Sequence, residues 1–283
     1  MDRVLGGVIF GEPRTASGRR RRRRADEVRR LVMDLGRRDF ESRYGPPAFE
    51  PVVVLLASYL EADNIGDVLK AVPDQIDGLG VSTLVVIDGG DDGTEDIVAG
   101  AGARYAKLPV NMGHGVALRV GYDLALAGGA RYVVTVDADG QNDPAEIPDL
   151  LAPVLAGDAD FVVASRRLGV DHTSDGFRRA GVLVYSWVIN AITRQHLTDT
   201  SNGFRALRAE VLRQVVLQQD QYQTAELIIS AASRGFRLGE APTIWHPRAS
   251  GTSKKGHNLL FGLRYAAVIF HTWRREQAAG GRR

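Results

Sequence analysis

From Pro51 onward the chain alternates between short runs that are almost wholly apolar and stretches in which apolar residues return every three or four positions. The apolar runs are Val52–Ala57, Thr83–Ile87, Ala103–Leu108, Tyr132–Val136 and Phe161–Ala164. They are rich in β-branched residues and lack strict apolar–polar alternation, which predicts parallel strands covered on both faces. Between them, Asn64–Ala71, Thr94–Ala99, Val116–Ala127 and Ile147–Leu155 predict helices. Strand alternating with helix implies an α/β fold with a doubly wound, mostly parallel sheet flanked by helices. Ligands of such sheets bind beyond the carboxyl ends of the strands. The polar clusters fall there: Ser58–Glu61 after the first strand, Asp88–Asp92 after the second, and Asp137–Asp139 after the fourth.

Past Ser174 the pattern loosens. Helices are predicted over Phe177–Thr193, Ala209–Val216 and Thr224–Ser233, a late strand over Phe236–Ile244, and a final helix over Asn258–Arg275. That last helix has a broad apolar surface interrupted by Arg264. It suits either a membrane interface, with Trp273, Arg274 and Arg275 at the headgroups, or packing on the domain or a second copy. Ahead of the sheet, Val28, Leu31, Val32 and Leu35 predict a short amphipathic helix over Asp26–Phe40, broken by Gly45-Pro46-Pro47. The expected organisation is a basic N-terminal arm (1–50), a catalytic domain (51–255), and a C-terminal amphipathic helix and tail (256–283).

Composition narrows this picture. The chain has 283 residues, 44% of them apolar, enough for one large core. With no cysteine, disulfides and thiolate metal sites are excluded. No run of about 18 apolar residues reads as a spanning helix, and no signal-peptide pattern opens the chain. A cytoplasmic location is expected, with peripheral attachment to the inner face of the membrane as the variant the last helix admits. The net charge of +2 hides an asymmetry: residues 1–50 hold 13 Lys/Arg against 8 Asp/Glu, and the remainder 23 against 26. Arg19–Arg24 repel one another and are expected to be solvated and flexible. By charge alone they suit anionic lipid or nucleic acid, the latter the less favoured partner.

The chemistry centres on Asp137-Ala138-Asp139. Two carboxylates at a strand end can share one divalent cation, and oxygen donors favour Mg²⁺ or Mn²⁺. A metal bridging a diphosphate neutralises charge on the leaving group, which makes Asp139 a catalytic candidate. Gln141 offers a neutral oxygen ligand, and Asn142-Asp143-Pro144 caps the next helix. In Asp88–Thr94, glycines let backbone approach a flat ligand and Asp88 can accept bonds from a base or ribose. The glycines of Asn111–Gly115 suit either phosphate binding at a helix N-terminus or tight packing. Leu118 breaks a dinucleotide fingerprint, and no P-loop occurs. Arg248–Lys255 is a basic, glycine-containing loop able to cover a diphosphate or a phosphorylated acceptor, through Arg248, Ser253 and Lys254. Should the acceptor be a sugar hydroxyl, Glu226 and Asp199 are the candidate bases; a phosphate acceptor is already anionic and needs none.

Together these clusters resemble the inverting family 2 glycosyltransferases of GT-A fold, and within them the dolichol- and polyprenol-phosphate mannosyl- and glucosyltransferases. The resemblance runs from about Val52 to Lys255. Ala57–Glu61 keeps the Tyr and Glu of a P-x-Y-N-E-like segment; Ile87–Thr94 resembles D-D-G-S-x-D-G-T with its first Asp replaced by isoleucine; Asp137–Gln141 matches D-A-D-x-Q. Ser165-Arg166 matches the end of G-S-R, Asp199–Arg205 resembles D-x-x-S-G-F-R, and Arg248–Lys254 completes R-x-x-G-x-S-K. The resemblance implies that Tyr59, Glu61 and Asp88 hold the nucleotide. Asp137, Asp139 and Gln141 would hold metal and diphosphate, and Arg166, Arg248 and Lys254 donor or acceptor phosphate. It implies transfer of a hexose from a GDP- or UDP-sugar to a polyprenyl-phosphate-type acceptor. The alternatives are a soluble saccharide or natural-product acceptor, or an inactive nucleotide-sugar-binding module. A membrane surface and a homo-oligomer are further partners the sequence admits.

Overall fold

The computed structural model describes residues 16–172, 176–248 and 259–280. Among them one sheet is formed by β1 (Val52–Ser58), β2 (Gln75–Ile76), β3 (Leu79–Ile87), β4 (Arg104–Lys107), β5 (Tyr132–Thr135), β6 (Phe161–Asp171), β7 (Arg205–Arg208) and β8 (Leu238–Trp245). The spatial order is β2-β3-β1-β5-β7-β6-β8, with β4 also on the outer side of β3. β4, β3, β1 and β5 are parallel neighbours, as are β6 and β8. β7 runs antiparallel to both β5 and β6, so those two share a direction. The helices are α1 (Ala16–Tyr44), α2 (Ala62–Ala71), α3 (Thr94–Gly100), α4 (His114–Ala127), α5 (Ile147–Leu155), α6 (Gly176–Thr193), α7 (Ala209–Gln214), α8 (Gln223–Ser233) and α9 (Leu259–Gly280).

The unbroken apolar texture of the central strands follows from a core on each face. Side chains alternate across a strand. Val53 and Leu55 of β1 join Leu84, Val86 and Val133 against α1, α4, α8 and α9. Val54 and Leu56 join Val85, Ile87 and Val134 against α2, α3 and α5. Each such side chain contributes about 1.5–3 kcal/mol when fully buried. Within the first core, Gly121 of α4 sits where a Cβ would lie 2.3 Å from Leu55, so that helix can lie close on the sheet.

Two elements depart from expectation. The first helix is longer than the predicted Asp26–Phe40: its backbone runs through Arg19–Arg24, and Arg20, Arg21, Arg23 and Arg24 are exposed helical residues. Of its predicted apolar stripe only Val32 is buried. Val28, Leu31 and Leu35 are exposed, whereas Val32 and Phe40 are buried. The buried face passes through Gly36, whose missing side chain admits Leu108 (a Cβ would stand 2.4 Å from it). Arg29 to Asp220 (2.6 Å), which Arg119 of α4 also holds at 2.7 Å, and Arg37 to Asp123 (2.5 Å) then fix α1 lengthwise along α4. The second departure is β7. Its Arg-Ala-Leu-Arg sequence does not read as a central strand, yet it fills the gap between β5 and β6.

Candidate active site

The carboxyl ends of β1, β3 and β5 carry the three predicted clusters to one edge. After β1, Tyr59 is half-buried and Leu60 adopts a left-handed backbone (φ 55°), a conformation uncommon outside glycine. Leu60 lies over Gly90, where a Cβ would meet its Cδ2 at 2.7 Å. After β3, Asp88 is buried and accepts from the backbone N–H of Met112 and of Gly113, both at 2.8 Å. Burial pushes its pKa up, and the two amides and His114 act against that shift. Both Asp88 oxygens thus anchor the 111–113 loop. Asp92 caps α3 through Thr94 and also accepts from Ala62 N–H at 3.0 Å, joining α2 to α3. Burial opposes its ionisation, but those bonds prevail and hold its pKa below the ordinary value.

The choice left open for Asn111–Gly115 resolves towards packing. A Cβ on Gly113 would lie 2.7 Å from the carbonyl oxygen of Asp220, and one on Gly115 2.3 Å from that of Gln219. The Gly115 N–H donates to the Asp220 carbonyl at 2.8 Å. The amides of 112, 113 and 115 are thus engaged by protein acceptors. What this loop presents to the site is His114, 42% exposed, with Nε2 3.6 Å from Asp137 Oδ1.

Asp137 and Asp139 follow β5. Gly203, just before β7, stands where a Cβ would lie 2.7 and 2.9 Å from the Asp137 oxygens, so a glycine is needed for that approach. Arg248, beyond β8, donates to Asp139 Oδ2 at 3.2 Å and to both oxygens of Glu61. One guanidinium thus spans the ends of β1, β5 and β8. Among the described residues no three His, Cys, Asp or Glu side chains converge as a metal group. The fit of Mg²⁺ or Mn²⁺ rests on Asp137 and Asp139, with remaining ligands left to oxygens such as those of a diphosphate. A cationic group already seated on Asp139 shows that the position draws positive charge. Gln141 fits this role poorly. In the amide orientation that satisfies both ends, its nitrogen donates to Asp139 (3.2 Å) and its oxygen accepts from Trp245 Nε1 (3.1 Å), leaving that oxygen turned away from the carboxylates.

Three further predictions change meaning. Arg166 is buried and forks onto Asp199, Nε to Oδ2 at 2.6 Å and Nη2 to Oδ1 at 2.9 Å. It also reaches Ser201 Oγ at 2.6 Å and lies 4.8 Å above the Trp245 ring. Its guanidinium is engaged by these protein partners. Asp199 is fully buried in return; burial raises its pKa, but Arg166 and Ser201 more than reverse this and hold it below the ordinary carboxylate range. A carboxylate so stabilised is a poor proton acceptor. Glu226 is also fully buried. It accepts from the Gln218 and Gln219 amides (2.9–3.0 Å) and from Arg275 at 2.7 Å, tying α8 to the 217–222 loop and α9. Neither acid faces the Asp137–Asp139 pair as a free base. Ser253 and Lys254 lie outside the described residues.

Sequence reasoning passed over two groups here. Arg205, at the start of β7, is buried with Nε donating to the Asn202 carbonyl at 2.8 Å. Burial lowers its pKa, while Tyr122, Tyr265, Asp137 and Asp199 raise it, so its charge is felt at Asp137. The motif Asp199–Arg205 contained it, but only the strand partners reveal its burial. His246 donates its N–H to the Gln141 carbonyl at 2.9 Å, bringing the end of β8 beside Asp139.

Comparison with known proteins agrees with this arrangement. Residues 53–216 match the family described as Glycosyl transferase family 2. The dolichyl-phosphate hexose transferase of Haloferax volcanii is 30% identical over 204 residues, covering 72% of this chain and 86% of that one. The polyprenol monophosphomannose synthase of Mycolicibacterium smegmatis is 31% identical over 227 residues, covering 73% and 82%. A crystal structure of glucosyl-3-phosphoglycerate synthase from Mycobacterium tuberculosis, with Mn²⁺, UDP and glucosyl-3-phosphoglycerate, superposes with a TM-score of 0.62 at 19% identity, covering 79% of this chain and 80% of that one. The mostly parallel sheet with its acidic pair at the carboxyl edge is thus the architecture of the GT-A glycosyltransferases. The chain belongs to glycosyl transferase family 2, and is a glycosyltransferase.

Proposed function

We propose that this enzyme moves a hexose from a nucleoside-diphosphate sugar, GDP- or UDP-linked, to a polyprenyl phosphate, with Mg²⁺ or Mn²⁺ held at Asp137 and Asp139. The observation that carries the reading is the acidic pair facing Arg248 at the carboxyl edge: one side suits a cation and the other an anion. Tyr59, Leu60 and Gly90 form the surface for the nucleotide, with Asp88 holding the neighbouring 111–113 loop. A bound divalent ion supplies positive charge to the departing diphosphate. Arg248 would exchange Asp139 and Glu61 for phosphate oxygens, and His114 would face the diphosphate beside Asp137. Two features support a phosphate acceptor. Asp199 and Glu226, the candidate bases, are committed to arginines, and a phosphate nucleophile needs no base near neutral pH. The names of the relatives above support a lipid carrier.

A second reading, a soluble phosphorylated acceptor, draws support from the likeness to a synthase crystallised with phosphoglyceric acid. The two separate by incubating the protein with Mn²⁺, radiolabelled GDP- or UDP-sugars, polyprenyl phosphate and phosphoglycerate. Label extracted into the organic phase is the expected result. Label only in the aqueous product supports the second reading. Nucleotide binding without any turnover refutes both and leaves a binding module.

A further inference from the structure

The chain supplies a cation of its own to the acidic edge. Arg248 places Nη1 3.2 Å from Asp139 Oδ2 and Nη2 on both oxygens of Glu61. The side chains so joined are largely withdrawn from solvent: Arg248 is 16% exposed, Glu61 10% and Asp139 17%. Charges in such a setting are screened less than those of a surface pair, so what holds and what displaces Arg248 matters to any other ion that comes here.

The donors around Asp139 are held with different firmness. Oδ1 accepts the backbone N–H of Gln141 at 3.2 Å. The Gln141 side chain reaches Oδ2 while its own oxygen is tied to Trp245. Both donors belong to the same turn as the carboxylate. Arg248 comes instead from three residues beyond the end of β8, and it can leave with that turn intact. Glu61 is fixed from the other side, its Oε2 accepting from Asn64 Nδ2 at 2.8 Å at the start of α2. A divalent ion on Asp139 therefore contends with a guanidinium for one carboxylate, and the two positive charges repel. A diphosphate resolves the conflict. Its oxygens are acceptors for the same planar fork, and the hydroxyls of a nucleotide can donate to Glu61 in the place of Arg248.

We propose that Arg248 is a built-in counter-ion that makes metal and nucleotide binding mutually dependent: Asp139 and Glu61 retain it against either ligand alone and release it to the two together. A ligand that needs Arg248 to leave Asp139 gains from one that offers it new acceptors, and by linkage the gain is mutual. The coupling rests on the metal and donor proposed above. Its test uses neither acceptor nor sugar, so its failure and a failure of transfer are read separately.

Mn²⁺ binding to the full chain is measured by loss of the free-ion electron paramagnetic resonance signal, alone and with saturating UDP or GDP. In wild type, one nucleotide should tighten Mn²⁺ binding on the order of a hundredfold. Arg248→Gln should bind Mn²⁺ alone about tenfold more tightly than wild type, and its coupling to nucleotide should be about tenfold smaller. Arg248→Lys, which keeps the charge, should bind Mn²⁺ alone more weakly than Arg248→Gln. A cooperative melting transition shows that each variant is folded. Equal Mn²⁺ affinity in wild type and Arg248→Gln, an undiminished coupling in Arg248→Gln, or equal affinity in the Lys and Gln variants overturns the inference and leaves the metal site standing. A wild-type affinity that neither nucleotide changes overturns it without recourse to a variant. Absence of Mn²⁺ binding in every sample removes the metal from Asp137 and Asp139, and the coupling with it.

Discussion

Asp199→Asn distinguishes a structural carboxylate from a catalytic base. The side chain is 1% exposed and its partner Arg166 7% exposed, joined by two bonds of 2.6 and 2.9 Å. The substitution keeps the shape and removes the charge, leaving a guanidinium buried beside Trp245 without its counter-ion. Breaking a buried ion pair on one side costs about 3–5 kcal/mol. For a chain of this size each kcal/mol shifts the melting temperature by about 2–4 °C, so a fall of roughly 6–20 °C is expected. Differential scanning fluorimetry measures it. Replacing both partners, Arg166→Met with Asp199→Leu, should recover much of the loss, because the uncompensated charge is gone. A general base behaves differently: Asp199→Asn would abolish turnover while melting within a degree or two of wild type. That result would refute the assignment of Asp199 to holding Arg166.

Asp139→Ala should abolish stimulation of transfer by Mg²⁺ or Mn²⁺ with the melting temperature retained; ordinary metal-dependent turnover would remove the acidic pair from the mechanism. Gly203→Ala should push Asp137 aside and lower kcat/KM on the order of a hundredfold, as misplacement by about an ångström can; unchanged kinetics would show that the strand yields instead. Asp160 is held at a pKa of about 2 by hydrogen bonds and charge from Arg237 and Arg208, against an ordinary value of 3.8. A depressed carboxylate stabilises above its unfolded pKa and loses that contribution as pH falls through the folded one. Melting temperatures of wild type and Asp160→Asn should therefore differ at pH 5 and above (about one unit over the unfolded pKa) and converge towards pH 2. A gap independent of pH would contradict the ion pairing.

Elements whose partners are regular were legible in the sequence. The strands from Val52, Thr83, Tyr132 and Phe161 form because a strand covered on both faces needs a continuous apolar run, and their ends place Glu61, Asp88 and Asp137 at one edge. The α1 stripe was read correctly only at Val32, because burial there depends on Leu108 entering at Gly36, a contact with a residue 72 positions away. β7 was invisible because two of its four residues are arginines, one of them buried only through its neighbours. The sequence singled out Gln141, Arg166, Asp199 and Glu226, but not the protein partners that each one meets. Each of those side chains answers to a partner far along the chain: Trp245, Asp199, Arg166 and Arg275 respectively.

In a wholly parallel sheet, every segment that begins at a strand at the carboxyl edge is one leaving that strand. β7 is reversed, so residues 197–204 arrive at that edge before their strand begins. They are anchored by Glu240 at Thr198 and Asp199 and by Arg166 at Asp199. The loop that carries Asp137 and the segment whose Gly203 lies against that carboxylate are thus of opposite chain polarity, with separate supports. A change within it reaches Asp137 through Gly203, so the segment acts as a shim that sets where that carboxylate stands.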